Sequence, residues 1–423
     1  MSELIEIKEE TEKVILIAVS LSENDDTEES VDELAELVET AGAETVGRLI
    51  QKREAVQPGT YIGKGKIEEL RELIAETGAT GVISDDELSP AQMKNLEEAL
   101  ETKVMDRTML ILDIFAKHAA SSEGKLQVEL AQLKYRSSRL VGMRSSMSRV
   151  SYGIGMRGPG EKKLEMDRRL IRDRISQLQG GLKEMERNRE TARAQRLRKK
   201  TPTIAIVGYT NAGKSTLLNR LTGAGILEAD MLFATLDPTT RVKKLESGQE
   251  ILFTDTVGFI RKLPHHLIEA FHSTLEEAGY ADIILHVVDS SNPNADKQMH
   301  VVYETLKKLN ITDKPVITVF NKQDRNLTGE RFKDLSSDAS VEISAVTGAG
   351  TEELLNLIEK KLLERKRYFE KVIDYRDAGI IQQIRNSGQL LSEEYLPEGI
   401  EVKAYLPPEL YNRLCPQEKK EEF

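Results

Sequence analysis

At 423 residues the chain exceeds what one ordinary core serves, and about 100–200 residues per domain points to several domains. Its single cysteine, Cys415, excludes an internal disulfide framework and fits a reducing compartment. The net charge of −11 argues against a nucleic-acid partner only until the chain is divided: residues 1 to 120 hold 12 Lys+Arg against 28 Asp+Glu, whereas residues 121 to 200 hold 21 against 9. A basic block thus stands between two acidic ones.

The start, MSELIEIKEE, is acidic where a leader peptide is basic. The longest apolar runs, such as VILIAV from Val14, fall far short of the ~20 residues that span a bilayer, so a cytoplasmic chain with no membrane span is expected. The acidic run ENDDTEES reads as a solvated loop. KVILIAVSL, VDELAELVETAG, TVGRLIQ, IEELRELIAETG, GVISDD, SPAQMKNLEEAL and TKVMD then alternate strand with helix, predicting a small parallel α/β domain over 1–118.

From about Ala116 the pattern becomes long and charged. Two helical stretches flank SYGIGMRGPG, and Leu164, Arg168, Ile171, Ile175 and Leu178 recur at three to four residues, the spacing of a narrow apolar stripe. An antiparallel basic hairpin is expected over 119–200. Gly153, Gly155 and Gly158 match a dinucleotide fingerprint, but no strand leads into them; small residues beside Arg157 suit close approach to RNA phosphate instead.

Residues 201–366 read as a doubly wound sheet of five or six strands, with TIAIV, EILFTDT, DIILHVVD, PVITVFNK and VEISA as strands. Residues 367–423 read as a small α+β appendage: strand KVIDY, helix AGIIQQIRNSG and two strands around PEG.

Gly208, Tyr209, Thr210, Asn211, Ala212, Gly213, Lys214 and Ser215 spell G-x-x-x-x-G-K-S after a strand and at the start of a helix. In that context backbone N–H groups face phosphates, Lys214 reaches the β and γ oxygens, and the Ser215 hydroxyl ligates Mg²⁺. Asp255, Thr256, Val257 and Gly258 follow an apolar run, with Asp255 placed to hold a magnesium water and the Gly258 N–H placed for the γ-phosphate. Asn321, Lys322, Gln323 and Asp324 end the next strand but one; an aspartate there accepts from the N1–H and amine of guanine, groups adenine lacks. Ser344, Ala345 and Val346 end a further strand, where N–H groups meet guanine O6. A second magnesium threonine is needed before Asp255, and spacing leaves Thr235, Thr239 and Thr240 open. The six histidines show no metal-ligand spacing, so Mg²⁺ is the one metal inferred.

LFATLDPTTR, GYTNAGKS, DTVGF, NKQD and SAV, together with YIGKGK and GIGMRGPGE, resemble the HflX branch of the Obg–HflX group of translation-associated GTPases. The resemblance implies that Thr235 is the magnesium threonine and that Phe233, Ala234, Thr235, Leu236 and Asp237 line the nucleotide. It also implies binding of the large ribosomal (50S) subunit or the 70S ribosome, rRNA and proteins, with the glycine-rich tip near the peptidyl transferase centre. Ribosome splitting, rescue or recycling is the expected work. A regulatory or assembly factor in which GTP only sets affinity is the alternative, and NKQD disfavours a P-loop kinase. Likeness of the loop to potassium-stimulated GTPases would make Asn211 a K⁺ ligand. Nothing obliges a dimer, so a monomer is expected.

Phe259 stands where signalling GTPases carry a water-orienting glutamine. Lys214, Thr235 and Gly258 are therefore expected to catalyse slowly until the ribosome orders the water.

Overall fold

The computed structural model describes residues 11–22, 25–147, 159–199, 201–223, 232–233, 239–263, 277–326 and 332–415. They belong to two compact units, one of Met1–Met185, Ala229–Asp237 and Ile260–Ser273, the other of Glu186–Glu228, Pro238–Phe259 and Thr274–Phe423.

The first unit contains the expected parallel sheet: β1 (Lys13–Ser20), β2 (Glu44–Lys52), β3 (Gly81–Ser84) and β4 (Lys103–Asp106), in the order β2-β1-β3-β4. The unbroken run VILIAVS makes β1 a central strand buried on both faces. Helices α1 (Thr27–Thr40), α2 (Lys64–Thr77) and α3 (Pro90–Leu100) connect the strands. Helix α3 begins at a capping box: the Gln92 N–H donates to Ser89 Oγ at 3.2 Å and the Ser89 N–H donates to Gln92 Oε1 at 2.9 Å. A fourth helix, α4 (Arg107–His118), was not expected. It is apolar nearly all round, and Leu110, Ile111, Ile114 and Phe115 are buried.

The carboxyl ends of β3 and β4 gather acids: Asp85, Asp86 and Asp106. Arg107 is buried between Glu33 and Asp85, the latter at 2.7 Å. Lys262 places Nζ 2.5 Å from Asp85 and 2.6 Å from Asp86, while Arg139 and the Tyr135 hydroxyl meet Asp106 at 2.5 and 2.8 Å. Burial pushes the Asp85 carboxyl up from its ordinary value against the opposing pull of Lys262.

Helices α5 (Ser122–Met147) and α6 (Pro159–Lys199) form the expected hairpin. Arg174 pairs with Glu129 at 2.7 Å and Arg168 donates to the Leu140 carbonyl, so rising numbers on one helix meet falling numbers on the other. Arg168, Ile171 and Ile175 are half-buried and Leu178 is buried, as the stripe predicts.

The second unit carries a six-stranded sheet, ordered β10-β9-β8-β5-β7-β6. Its strands are β5 (Thr203–Gly208), β6 (Thr239–Lys244), β7 (Glu250–Asp255), β8 (Ile283–Asp289), β9 (Val316–Asn321) and β10 (Ala339–Glu342). All neighbours are parallel except β6 with β7. Helices α7 (Lys214–Thr222), α8 (Ala295–Lys308) and α9 (Thr351–Glu364) belong to the same unit. Ile204, Ile206, Leu217, Phe253, Leu285 and Ile358 share one buried core.

Beneath this sheet the Asp334 carboxylate accepts from the Thr318 and Tyr303 hydroxyls, both at 2.5 Å, and His286 Nδ1 stands 3.9 Å away. Burial pushes Asp334 up, but its polar partners outweigh this and hold it well below the usual carboxylate range. Burial drives His286 below its ordinary value.

The carboxyl-terminal segment forms β11 (Arg367–Ile373), β12 (Gln389–Leu396) and β13 (Gly399–Leu406), antiparallel in the order β11-β13-β12. Helix α10 (Gly379–Ser387) and an additional α11 (Pro408–Leu414) accompany them. Phe369, Ile384, Val402 and Leu406 form the small core.

Candidate nucleotide site

Strand β5 is a run of buried residues that ends at Gly208, and the next five residues, Tyr209 to Gly213, turn into α7. Two glycines, one in this loop and one in the D-T-V-G segment that faces it, show why the site needs its sequence. Gly213 has φ +88°, and a Cβ there would lie 2.4 Å from Asn321 Nδ2; Gly258 would bring a Cβ within 2.9 Å of Lys214 Nζ. Asn211 also takes a left-handed φ of 58°, and its side chain is exposed. Lys214 donates from Nζ to the Tyr209 carbonyl at 2.7 Å. Burial, with Lys322 adding to the effect and Asp255 opposing it, lowers its pKa to about 8. An ammonium held in this way gains from an arriving phosphate.

The Ser215 hydroxyl donates to Asp255 Oδ2 at 2.8 Å. Two hard oxygen donors so placed, one from the loop and one from the end of β7, fit Mg²⁺, which takes one or two protein oxygens and completes its shell with phosphate and water. No cluster of three or more His, Cys, Asp or Glu suited to a metal occurs among the described residues. Thr256 donates its hydroxyl to the Ile206 carbonyl at 2.8 Å, and Val257 is buried. Phe259 is 2% exposed; its N–H donates to the Gly208 carbonyl at 3.1 Å, and its carbonyl accepts from the Thr210 N–H at 2.8 Å. The segment after Gly258 is thereby tied to the loop by backbone, and its ring offers water no hydrogen bond.

The base-recognition end is built on Asn321. Its Nδ2 donates to the Ala212 carbonyl and its Oδ1 accepts from the Ala345 N–H, both at 2.9 Å. One buried amide therefore joins the phosphate loop to the S-A-V turn. Ser344 donates to Asp324 Oδ1 at 2.5 Å and fixes that carboxylate's direction, while Val346 is exposed. Gln323 donates to Ser290 Oγ at 3.1 Å. The expected residues of the phosphate loop, D-T-V-G, N-K-Q-D and S-A-V thus converge in the second unit.

Phe233 lies in the first unit, its ring 4.6 Å from that of Phe115 in an edge-on contact. Ala234, Thr235, Leu236 and Asp237 fall outside the described residues, as do Gly153, Gly155, Arg157 and Gly158. Thr239 and Thr240 begin β6, where the Thr240 hydroxyl lies 3.0 Å from that of Thr254.

Sequence reasoning missed Asp289, whose Oδ2 lies 2.7 Å from Lys322 Nζ, and Arg220, which donates to the Thr347 carbonyl at 2.5 Å. An acid at the end of VVD was the available signal for the first; the second carried none.

A phosphate loop, a Ser–Asp pair and a base loop joined through one asparagine on a doubly wound sheet define a P-loop GTPase. Three family models match in succession: "GTP-binding GTPase N-terminal" over residues 28–116, "GTP-binding GTPase Middle Region" over 118–196 and "50S ribosome-binding GTPase" over 203–322. A GTPase HflX of Lacrimispora saccharolytica is 64% identical, with 98% of each chain covered. That of Escherichia coli K12 is 39% identical, with 96% of each covered. Among solved structures, a GTP-binding protein from Sulfolobus solfataricus in complex with GDP matches at 25% identity and TM-score 0.44, covering 83% of this chain and 98% of that one. The chain belongs to the HflX family of GTPases.

Proposed function

We propose that this GTPase works on the large ribosomal subunit, using the amino-terminal unit and the basic hairpin to bind rRNA and the nucleotide state to set how tightly. The observation that carries the reading is the Asn321 junction, because it makes the phosphate loop and the guanine-reading turn one object. The description of the matched family model as a 50S ribosome-binding GTPase supports the choice of partner, and the hairpin's excess of 21 Lys+Arg over 9 Asp+Glu suits a polyphosphate surface. Gly153, Gly155, Arg157 and Gly158 are the proposed tip contacts with RNA.

In this reading Lys214 neutralises the β and γ oxygens, the Gly258 N–H meets the γ-phosphate, and Asp324 with the S-A-V turn reads guanine. Ser215 and Thr235 would hold Mg²⁺, with Asp255 bonded through water; the ion supplies charge neutralisation at the transferring phosphoryl group. Asn211 would add K⁺. Because the Phe259 ring orders no water, hydrolysis is slow in the isolated protein and accelerates on the ribosome, where release follows. Separation of subunits, in rescue or recycling, is the proposed outcome.

Single-turnover GTP hydrolysis with and without purified 50S subunits tests the reading, and stimulation of at least tenfold is expected on the order of partner-completed GTPase sites. Equal rates sink it. Sedimentation of 70S ribosomes with GTP and with a non-hydrolysable analogue then distinguishes subunit separation from passive binding.

A further inference from the structure

Lys322 takes a left-handed φ of 62°, a conformation that a lysine adopts only when its surroundings impose it. The imposing group is the turn Asp289-Ser290-Ser291 at the end of β8, whose last residue pairs in register with Asn321 of β9. The Ser290 N–H donates to the Asn321 carbonyl at 3.0 Å, and the Ser290 hydroxyl donates to the same carbonyl at 2.5 Å. Asp289 divides its carboxylate. Oδ1 accepts from the Ser291 N–H at 3.0 Å and from its hydroxyl at 2.6 Å, which shapes the turn, while Oδ2 lies 2.7 Å from Lys322 Nζ. Both side chains are largely withdrawn from solvent, at 15% exposure for Lys322 and 14% for Asp289, so the pair is only weakly screened.

We propose that Asp289 is a positioning residue for guanine-nucleotide binding: by holding the Lys322 ammonium it fixes the bent N-K-Q-D loop and thus the place of Asp324 against the base. The inference rests on the guanine reading of that loop given above. One further contact extends it. Gln323, the loop's next residue, is tied to Ser290 of the same turn, so two successive loop side chains depend on it.

The substitution Asp289→Asn isolates the ion pair, since an amide oxygen still accepts from Ser291 while the negative charge that faces Lys322 is lost. Calorimetric GDP titration of the full chain should show about tenfold weaker binding, on the order expected for a half-buried charge pair. Lys322→Met should show a similar loss, and the double variant no more than the greater of the two, because both remove one interaction. Asp289→Glu should bind more tightly than Asp289→Asn although Asn is the closer shape; a turn that needed only shape would give the reverse order. GDP binding by Asp289→Asn at parental strength, additive losses in the double variant, or Asn outperforming Glu overturns the inference. Asp324→Asn is run alongside: if it keeps the parental preference for GDP over xanthosine diphosphate, the guanine reading itself falls and takes the inference with it. If that preference is lost while Asp289→Asn binds normally, the inference alone fails.

Discussion

Replacing Asn321 by alanine strikes the point where the two ends of the pocket meet. The side chain is 2% exposed, and Ala212 and Ala345, whose backbone groups it satisfies, are 1% and 3% exposed. Truncation leaves a buried carbonyl and a buried N–H without this partner, at a cost of about 1–3 kcal/mol for each. Relaxation of the loops recovers part of that sum, so a net loss of ~3 kcal/mol is expected on the same scale. The nucleotide must hold both loops at once, and in the variant it must also order them. The loss should therefore reappear in binding as a roughly 100-fold weaker affinity for GDP, by the conversion of about 1.4 kcal/mol per decade. Calorimetric titration with GDP measures this directly, with thermal unfolding as a check that the second unit remains folded. GDP affinity within about threefold of the parent, a difference of less than ~0.7 kcal/mol, would refute the reasoning that this amide couples the loops.

Gly213→Ala places a Cβ 2.4 Å from Asn321 Nδ2 on a backbone at φ +88°, so GDP binding should fall by at least about tenfold through displacement of that same amide; titration checks it. Lys214, lowered to about 8 in the free protein, should be restored towards its ordinary value by phosphate. Nucleotide binding should then take up protons near pH 8 and above, with affinity full below about pH 8 and declining as pH rises beyond it; calorimetry in buffers of different ionisation heat reads the proton count. His286 and Asp334 are both held below their ordinary values, so the unfolded chain binds protons that the folded chain refuses. Stability of the second unit should accordingly fall as pH drops below 6.5 and again below 3.8, the ordinary values of the two groups, and a pH series of thermal melts on the parent and on His286→Gln tests it. Exchanging KCl for NaCl at constant ionic strength should slow hydrolysis if Asn211 holds K⁺, and Asn211→Ala should remove the difference.

The most legible elements were those whose burial follows a simple period. VILIAV, ILFT, IILHVV and VITVF are apolar runs, and they became the interior strands β1, β7, β8 and β9. Strand β6 was illegible because TTRVKK has no apolar run; it holds its place by antiparallel pairing to β7 at the sheet's edge. Helix α4 failed for the opposite reason, since RTMLILDIFAKH is buried on too many sides to show a stripe. In the site, the phosphate and base motifs were readable because their backbone conformations demand particular residues, such as glycine at 213. The Asp289–Lys322 pair was not, because its partners stand 33 positions apart (322 − 289) and their meeting depends on the order of β8 and β9 in the sheet.

The two borders of the six-stranded sheet have a consequence for behaviour at high concentration. One border is β6, where Arg241, Lys243 and Lys244 surround the exposed Val242; the other is β10, only four residues long. An incoming strand would meet like charges along the first and find few unpaired amides on the second. The fold thereby guards itself against lateral growth into aggregates, and it does so with the same basic hexapeptide that made β6 so hard to recognise.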